Sequence, residues 1–208
     1  MLYPFLEQEL FDVPSTDELC NPYEIYDEAL DVPGAPLLRR ENMRSYLEHF
    51  EATPPEVLLV AEAPGPWGCR FSGVPLTSEA QLVDPAFPVD GRQTSRRDAP
   101  IKEYSANIVW GLLQEWFPRF MLWNCVPFHP TKSGQPLTIR TPRVSEVKRF
   151  GPFLEESIRL VKPGRVVAVG RKAEASLQRL AIDHIYVRHP SQGGATLFRE
   201  GIREVLEL

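Results

Sequence analysis

The sequence predicts an α/β fold, a three-layer α/β/α sandwich around a four-stranded, mainly parallel sheet. Three observations carry this. Val57-Leu58-Leu59-Val60-Ala61 and Phe120-Met121-Leu122-Trp123-Asn124-Cys125-Val126 are near-continuous apolar runs, as expected of strands buried on both faces. Such runs alternate with segments of helical periodicity, which makes neighbouring strands parallel. They empty into loops rich in Gly, Pro and polar residues, where open α/β sheets collect ligand chemistry. The 208 residues are expected to form one domain, with 1–55 as a helical extension packed on it.

Taken in order, the stretch 36–50 has apolar residues at Leu37, Leu38, Met43, Tyr46, Leu47 and Phe50, a helix with one buried face. A first strand follows at about 57–62. Its loop, Glu62-Ala63-Pro64-Gly65-Pro66-Trp67-Gly68, continues into Phe71-Ser72-Gly73-Val74-Pro75. Gly and Pro fix such a backbone and let a ligand approach it. Pro85, Pro88, Gly91 and Pro100 make 81–101 irregular. Arg92, Arg96, Arg97 and Lys102 lie in or beside it, either as a solvated loop or as a phosphate-contacting patch. Residues 105–116 form a helix and 120–126 the second strand, which ends in Pro127-Phe128-His129-Pro130. A helix opens at Thr141 and runs to about Val161, where Pro163-Gly164 stops it. The third strand spans 165–170, a helix 171–180 and the fourth strand 184–188. That strand leads into His189-Pro190-Ser191-Gln192-Gly193-Gly194. Leu197, Phe198, Ile202, Val205 and Leu206 mark a closing helix.

The net charge of −5 argues against a binder of bulk polyanion but leaves room for a local basic face. No apolar run of about 18 residues predicts a membrane span, and the first residues lack the basic region of a secretory signal. The three cysteines, Cys20, Cys69 and Cys125, are odd in number and far apart. They suit a reducing cytoplasm and cannot by themselves hold a four-cysteine iron–sulfur cluster. No metal or cofactor is expected, and the chain is expected to be monomeric.

Three strand ends carry polar residues that a simple core does not need: Glu62, Asn124 and His189. In a parallel sheet these ends share one rim. An amide inside an apolar strand is costly, about 1–3 kcal/mol if left unpaired. Glu62 and His189 alone also fit structural roles, a solvated loop acid and a satisfied core histidine, whereas Asn124 has no such ready reading. Their conjunction points to a site.

The residues carry a family resemblance over about 55–205. Ala61-Glu62-Ala63-Pro64-Gly65-Pro66-Trp67-Gly68 and Ser72-Gly73-Val74-Pro75 resemble the first motif of the uracil-DNA glycosylase superfamily, in its single-strand-selective and iron–sulfur branches. Asn124 matches the Asn that ends the family's second core strand, and 138–146 is similar to a stretch of the iron–sulfur branch. His189-Pro190-Ser191 matches the third motif. The resemblance implies a monofunctional DNA glycosylase acting on an extruded base in DNA. It implies catalytic roles for Glu62, which directs water, and for His189, a donor to uracil O2. Asn124 would meet uracil O4 and N3–H, with Ala63, Pro64, Gly65, Trp67, Phe71 and Leu76 around the base. Ser191, Gln192, Gly193 and Gly194 would press into the DNA minor groove. No lysine in the motif loops is placed for a covalent route.

The chain departs from the pattern at Ala63, where the family often has Asn or Asp, and at Leu76, where it has a base-stacking aromatic. Phe71, Trp67 or Phe128 are candidates to replace that ring. Two other readings come from different classes: a nucleic-acid-binding member without catalysis, and a nucleoside or nucleotide hydrolase.

Overall fold

A computed structural model describes residues 2–206. The elements run α1 (Leu2–Glu9), β1 (Leu19–Cys20), α2 (Ala35–Glu48), β2 (Val57–Ala61), α3 (Cys69–Ser72), α4 (Glu79–Leu82) and α5 (Tyr104–Leu113). They continue as β3 (Phe120–Asn124), β4 (His129–Pro130), α6 (Val144–Val161), β5 (Arg165–Val169), α7 (Arg171–Arg179), β6 (Ile185–Val187) and α8 (Ala195–Leu206). The main sheet has four strands in the order β3-β2-β5-β6, every pair parallel, with helices on both faces: the three-layer α/β/α sandwich. Strands β2 and β3 are buried throughout. Trp110 of α5 packs on Phe120 of β3 with ring centroids 5.4 Å apart. Phe5 of α1 stacks on Phe153 of α6 at 5.3 Å. Among the described residues no helix is long and apolar enough to cross a membrane.

The register places Ala61 directly beside Asn124. The chain leaves β2 for β3 on one side, then crosses to β5 on the other. The crevice beyond the ends of β2 and β5 is therefore the topological switch point, where ligands bind in such sheets.

Several elements differ from the sequence expectations. The helical extension is helical only at α1 and α2; 10–34 is largely irregular. Pro14, Pro22 and Pro33 interrupt it, and the buried Asn21 amide fixes the bend by donating to the carbonyls of Leu10 and Val13 at 2.9 and 2.8 Å. A second, two-stranded antiparallel sheet, β1 with β4, ties this segment to the loop after β3. The helix expected from Thr141 begins at Val144. Pro142 keeps Thr141 out of helical geometry, and the Arg143 N–H donates to the Glu146 carboxylate at 2.7 Å as the helix starts. The loop 81–101 is irregular beyond α4. The buried Glu79 carboxylate holds it, accepting from the backbone N–H groups of Thr94 (2.6 Å) and Ser95 (2.7 Å) and from the Ser95 hydroxyl (2.6 Å).

One buried charge cluster joins these parts. Asp31 accepts from both Arg39 and Arg70, and all three side chains are fully buried. Arg39 also donates to the carbonyls of Pro22 and Ile25 at 3.0 and 2.9 Å. The N-terminal extension is thus bolted to α3, the short helix that closes the Gly-rich loop.

Candidate active site

The Gly-rich loop after β2 is pinned along its length. The N–H groups of Cys125 and Val126 donate to the carbonyls of Ala61 (2.8 Å) and Glu62 (3.0 Å), so the pairing of β2 with β3 continues past both strands. Further on, His129 Nδ1 lies 2.8 Å from the Pro64 carbonyl. A carbonyl only accepts, so Nδ1 carries the proton and Nε2 is bare. His129 is fully buried, and its Nε2 has no partner among the described residues. Burial holds the imidazole below its usual range, which keeps it neutral. Sequence reading left His129 in a Pro-rich loop without a role; a histidine just past a strand that pairs with β2 was the available signal.

Glu62 sits one residue beyond β2, with 21% of its side chain exposed, 3.6 Å from Lys172 Nζ. Burial raises its carboxyl above the usual range, and Lys172 opposes that rise. Lys172 also donates to Thr141 Oγ1 at 2.7 Å. It lies in the first turn of α7, so no motif loop contains it. The fold alone brings it to Glu62, and sequence reading missed it.

Asn124 is 4% exposed at the end of β3. Its side-chain amide makes no hydrogen bond among the described residues and keeps some contact with solvent at the rim. A small hollow of about 10 Å³ adjoins it, lined by Pro75, Trp123, Pro127 and Tyr23 among others. The buried Trp123 indole N–H also lacks a partner. Native folds satisfy nearly all such groups. An unused amide at a strand end is therefore a ready recognition group.

Leu76 is half-buried at φ +48°, a conformation that costs a non-glycine residue about 1–3 kcal/mol. The Trp110 indole holds it there, donating to the Leu76 carbonyl at 3.1 Å and to Thr77 Oγ1 at 3.0 Å. Two of the three expected replacements have their rings in the interior. Phe71 is 1% exposed, with the Arg70 guanidinium 4.7 Å from its ring centroid. Phe128 is core, packed on Phe150 with centroids 4.9 Å apart. Trp67 is 36% exposed, and the Arg97 guanidinium covers one face at 5.1 Å. Ala63 is half-buried beside Glu62, whereas Pro64 is buried and Gly65 half-buried, with open space where a Cβ would point.

His189 follows β6. Its Nδ1 accepts from the Ser191 N–H at 3.1 Å and lies 2.8 Å from Ser191 Oγ. The backbone donor fixes the tautomer: Nδ1 is bare, and Nε2 carries the proton. Burial, then the charges of Arg188 and Lys172, hold this imidazole below its usual range. It is a neutral hydrogen-bond donor at pH 7.

Glycines make room for it. A Cβ on Gly170 (φ +88°) would come within 2.8 Å of the His189 Cβ. One on Gly194 would stand 2.1 Å from the His189 carbonyl oxygen. Of the four residues expected to meet DNA, Gln192 and Gly193 are exposed and Ser191 half-buried. Gly194 is buried against His189, and its carbonyl accepts the Phe198 N–H at 2.9 Å at the start of α8. In the fold it serves as a packing residue. Gly194→Ala is expected to displace His189 and lower turnover at least as much as it lowers stability. Circular dichroism beside a rate measurement separates the two.

The ends of β3, β2, β5 and β6 thus present Asn124, Glu62, Lys172 and His189 on one rim, about 14 Å wide at about 4.8 Å per strand.

A sequence model described as the uracil DNA glycosylase superfamily matches residues 48–203. Among solved structures, wild-type SMUG2 of Pedobacter heparinus superposes with a TM-score of 0.64 at 13% identity, covering 98% of this chain and 94% of that one. At that identity the likeness is one of fold. No curated protein matches the chain.

Proposed function

We propose, for a chain that belongs to the uracil DNA glycosylase superfamily, that it hydrolyses the N-glycosidic bond of uracil, or of a related deaminated or oxidised base, in DNA. The observation that carries this reading is the Asn124 amide, nearly buried at the sheet rim and unpaired among the described residues. A nucleobase edge supplies what it lacks. The amide N–H meets uracil O4, and the amide oxygen accepts from N3–H.

The rest of the rim suits departure of a uracil anion from an oxocarbenium-like sugar. The neutral His189 donates its Nε2–H to O2, where charge develops; being neutral, it does not protonate the base outright. The Glu62 carboxylate directs a water to C1′ and stabilises the developing cation. Proline and glycine at 64 and 65 let a base edge lie against the backbone. The product is an abasic site, and its formation without strand cleavage makes the enzyme monofunctional. An abasic product calls for a later strand-processing step, which places the reaction in base-excision repair. The buried, unpaired cysteines, with Cys125 pushed up to about 12 by burial, favour a reducing compartment such as the cytoplasm.

The test is a panel of oligonucleotides carrying uracil, hypoxanthine or hydroxymethyluracil, single-stranded and mismatched, with free nucleosides alongside. Alkali-dependent cleavage at one or more modified positions is expected. Salt-dependent binding without base release would favour the non-catalytic reading. Release from nucleosides alone would favour the nucleoside hydrolase.

A further inference from the structure

We infer that Lys172 is a positioning residue for the proposed hydrolysis, its ammonium orienting the Glu62 carboxylate across the crevice between β2 and β5. This rests on the glycosylase reading of the same rim.

The placement is geometric first. Lys172 Nζ is 3.6 Å from Glu62 Oε2 and 2.7 Å from Thr141 Oγ1. Two anchors on different segments fix an otherwise mobile side chain. Glu62 belongs to the loop after β2 and Lys172 to the helix after β5, so the pair spans the topological switch point.

Local helix physics gives no reason for the residue. Lys172 stands in the first turn of α7, where the helix dipole disfavours a cation. Its neighbour Arg171 is compensated by Glu174 at 2.8 Å and by the Tyr186 ring at 4.1 Å. The carboxylate that meets Lys172 is Glu62. With 65% of the Lys172 side chain exposed, such a pair adds little to folding stability. A residue that breaks a local preference without stabilising the fold is expected at a functional site.

One ammonium also favours both protonation states that the chemistry needs. It works against the burial that raises the Glu62 carboxyl. With Arg188, it adds to the burial that keeps His189 neutral. The other groups facing this pair are the protonated Cys125 thiol beyond β3, beside Glu62, and the Ser191 hydroxyl on His189. Removing the ammonium raises the pKa of Glu62 and of His189 alike. Both changes move the acid limb of the rate profile to higher pH.

The experiment compares wild type, Lys172→Met and Lys172→Arg by pH–rate profile and by NMR titration of the Glu62 carboxyl and His189 imidazole. Lys172→Met is expected to move the acid limb up by about one pH unit, so that kcat falls about tenfold at pH values below the wild-type limb, with KM little changed. Lys172→Arg is expected to recover most of the rate and the wild-type limb. Both variants are expected to keep the wild-type Tm. Profiles and titrations that superimpose for wild type and Lys172→Met would overturn the inference. A loss confined to KM, with neither pKa moved, would do the same and make Lys172 a phosphate contact. Should wild type release no base from any oligonucleotide, the glycosylase reading falls with it. The titrations still decide whether Lys172 governs Glu62.

Discussion

His189→Ala is expected to slow base release by about 10²–10³-fold while leaving oligonucleotide affinity almost unchanged, the effect of removing one oxyanion-hole donor. The selectivity for rate follows from when the bond matters. Uracil O2 is an ordinary carbonyl in the bound substrate and gains charge only as the glycosidic bond breaks, so the donor acts mainly on the transition state. The Ser191 N–H, 3.1 Å from Nδ1, holds the ring in the tautomer that presents Nε2–H. His189→Gln restores a donor without that support and is expected to recover part of the rate. Single-turnover rates beside fluorescence-anisotropy binding check both expectations. Equal loss of rate and affinity would remove His189 from the catalytic role.

Asp31→Ala is expected to be the most destabilising of the single changes considered, at about 3–5 kcal/mol, because it strands two buried guanidinium groups. Arg39 and Arg70 are both fully buried, and Asp31 is the carboxylate that both donate to. Arg70 already carries one unpartnered atom, Nε, among the described residues. Removing the carboxylate leaves like charges facing each other in the interior. Conversion by the scale for domains of this size gives a fall in Tm of roughly 6–20 °C. Alanine at Glu156, whose exposed ion pair with Arg159 lies on the surface of α6, is expected to leave Tm unchanged. Thermal melts of the two variants side by side test the contrast. Because Arg70 belongs to α3, a partly folded Asp31→Ala protein is expected to lose its glycosylase loop before its sheet.

What the sequence made legible follows from the range of the forces involved. The strands at 57–61 and 120–124 are legible because burial on both faces demands unbroken apolar runs. Asn124 and His189 are legible because they interrupt or end such runs with groups that need partners. The remainder depends on contacts between distant segments. The extension 10–34 has no periodicity to find, since Asn21 folds it back on its own carbonyl at Leu10 and Asp31 ties it to Arg70. The His129–Pro64 bond spans 65 positions, and Lys172 meets Glu62 only because β5 pairs with β2. Phe71 and Phe128 fit the composition of a stacking face, yet packing against Arg70 and Phe150 uses their rings in the interior. Gly193 and Gly194 read alike in the sequence, and only the 2.1 Å approach of a Cβ at Gly194 to the His189 carbonyl separates its packing from that of Gly193.

Cleavage of a glycosidic bond in DNA at the rim of Asn124, Glu62 and His189 releases a free base and leaves an abasic site. Chromatographic detection of free base from a single-stranded uracil oligonucleotide tests it most directly, with wild type run beside Asn124→Ala and His189→Ala. Free uracil matched one-for-one by abasic sites, and falling sharply in both variants, is the predicted result. Release that persists unchanged in both variants would contradict cleavage at this rim, as would no release by wild type from uracil or from any related modified base.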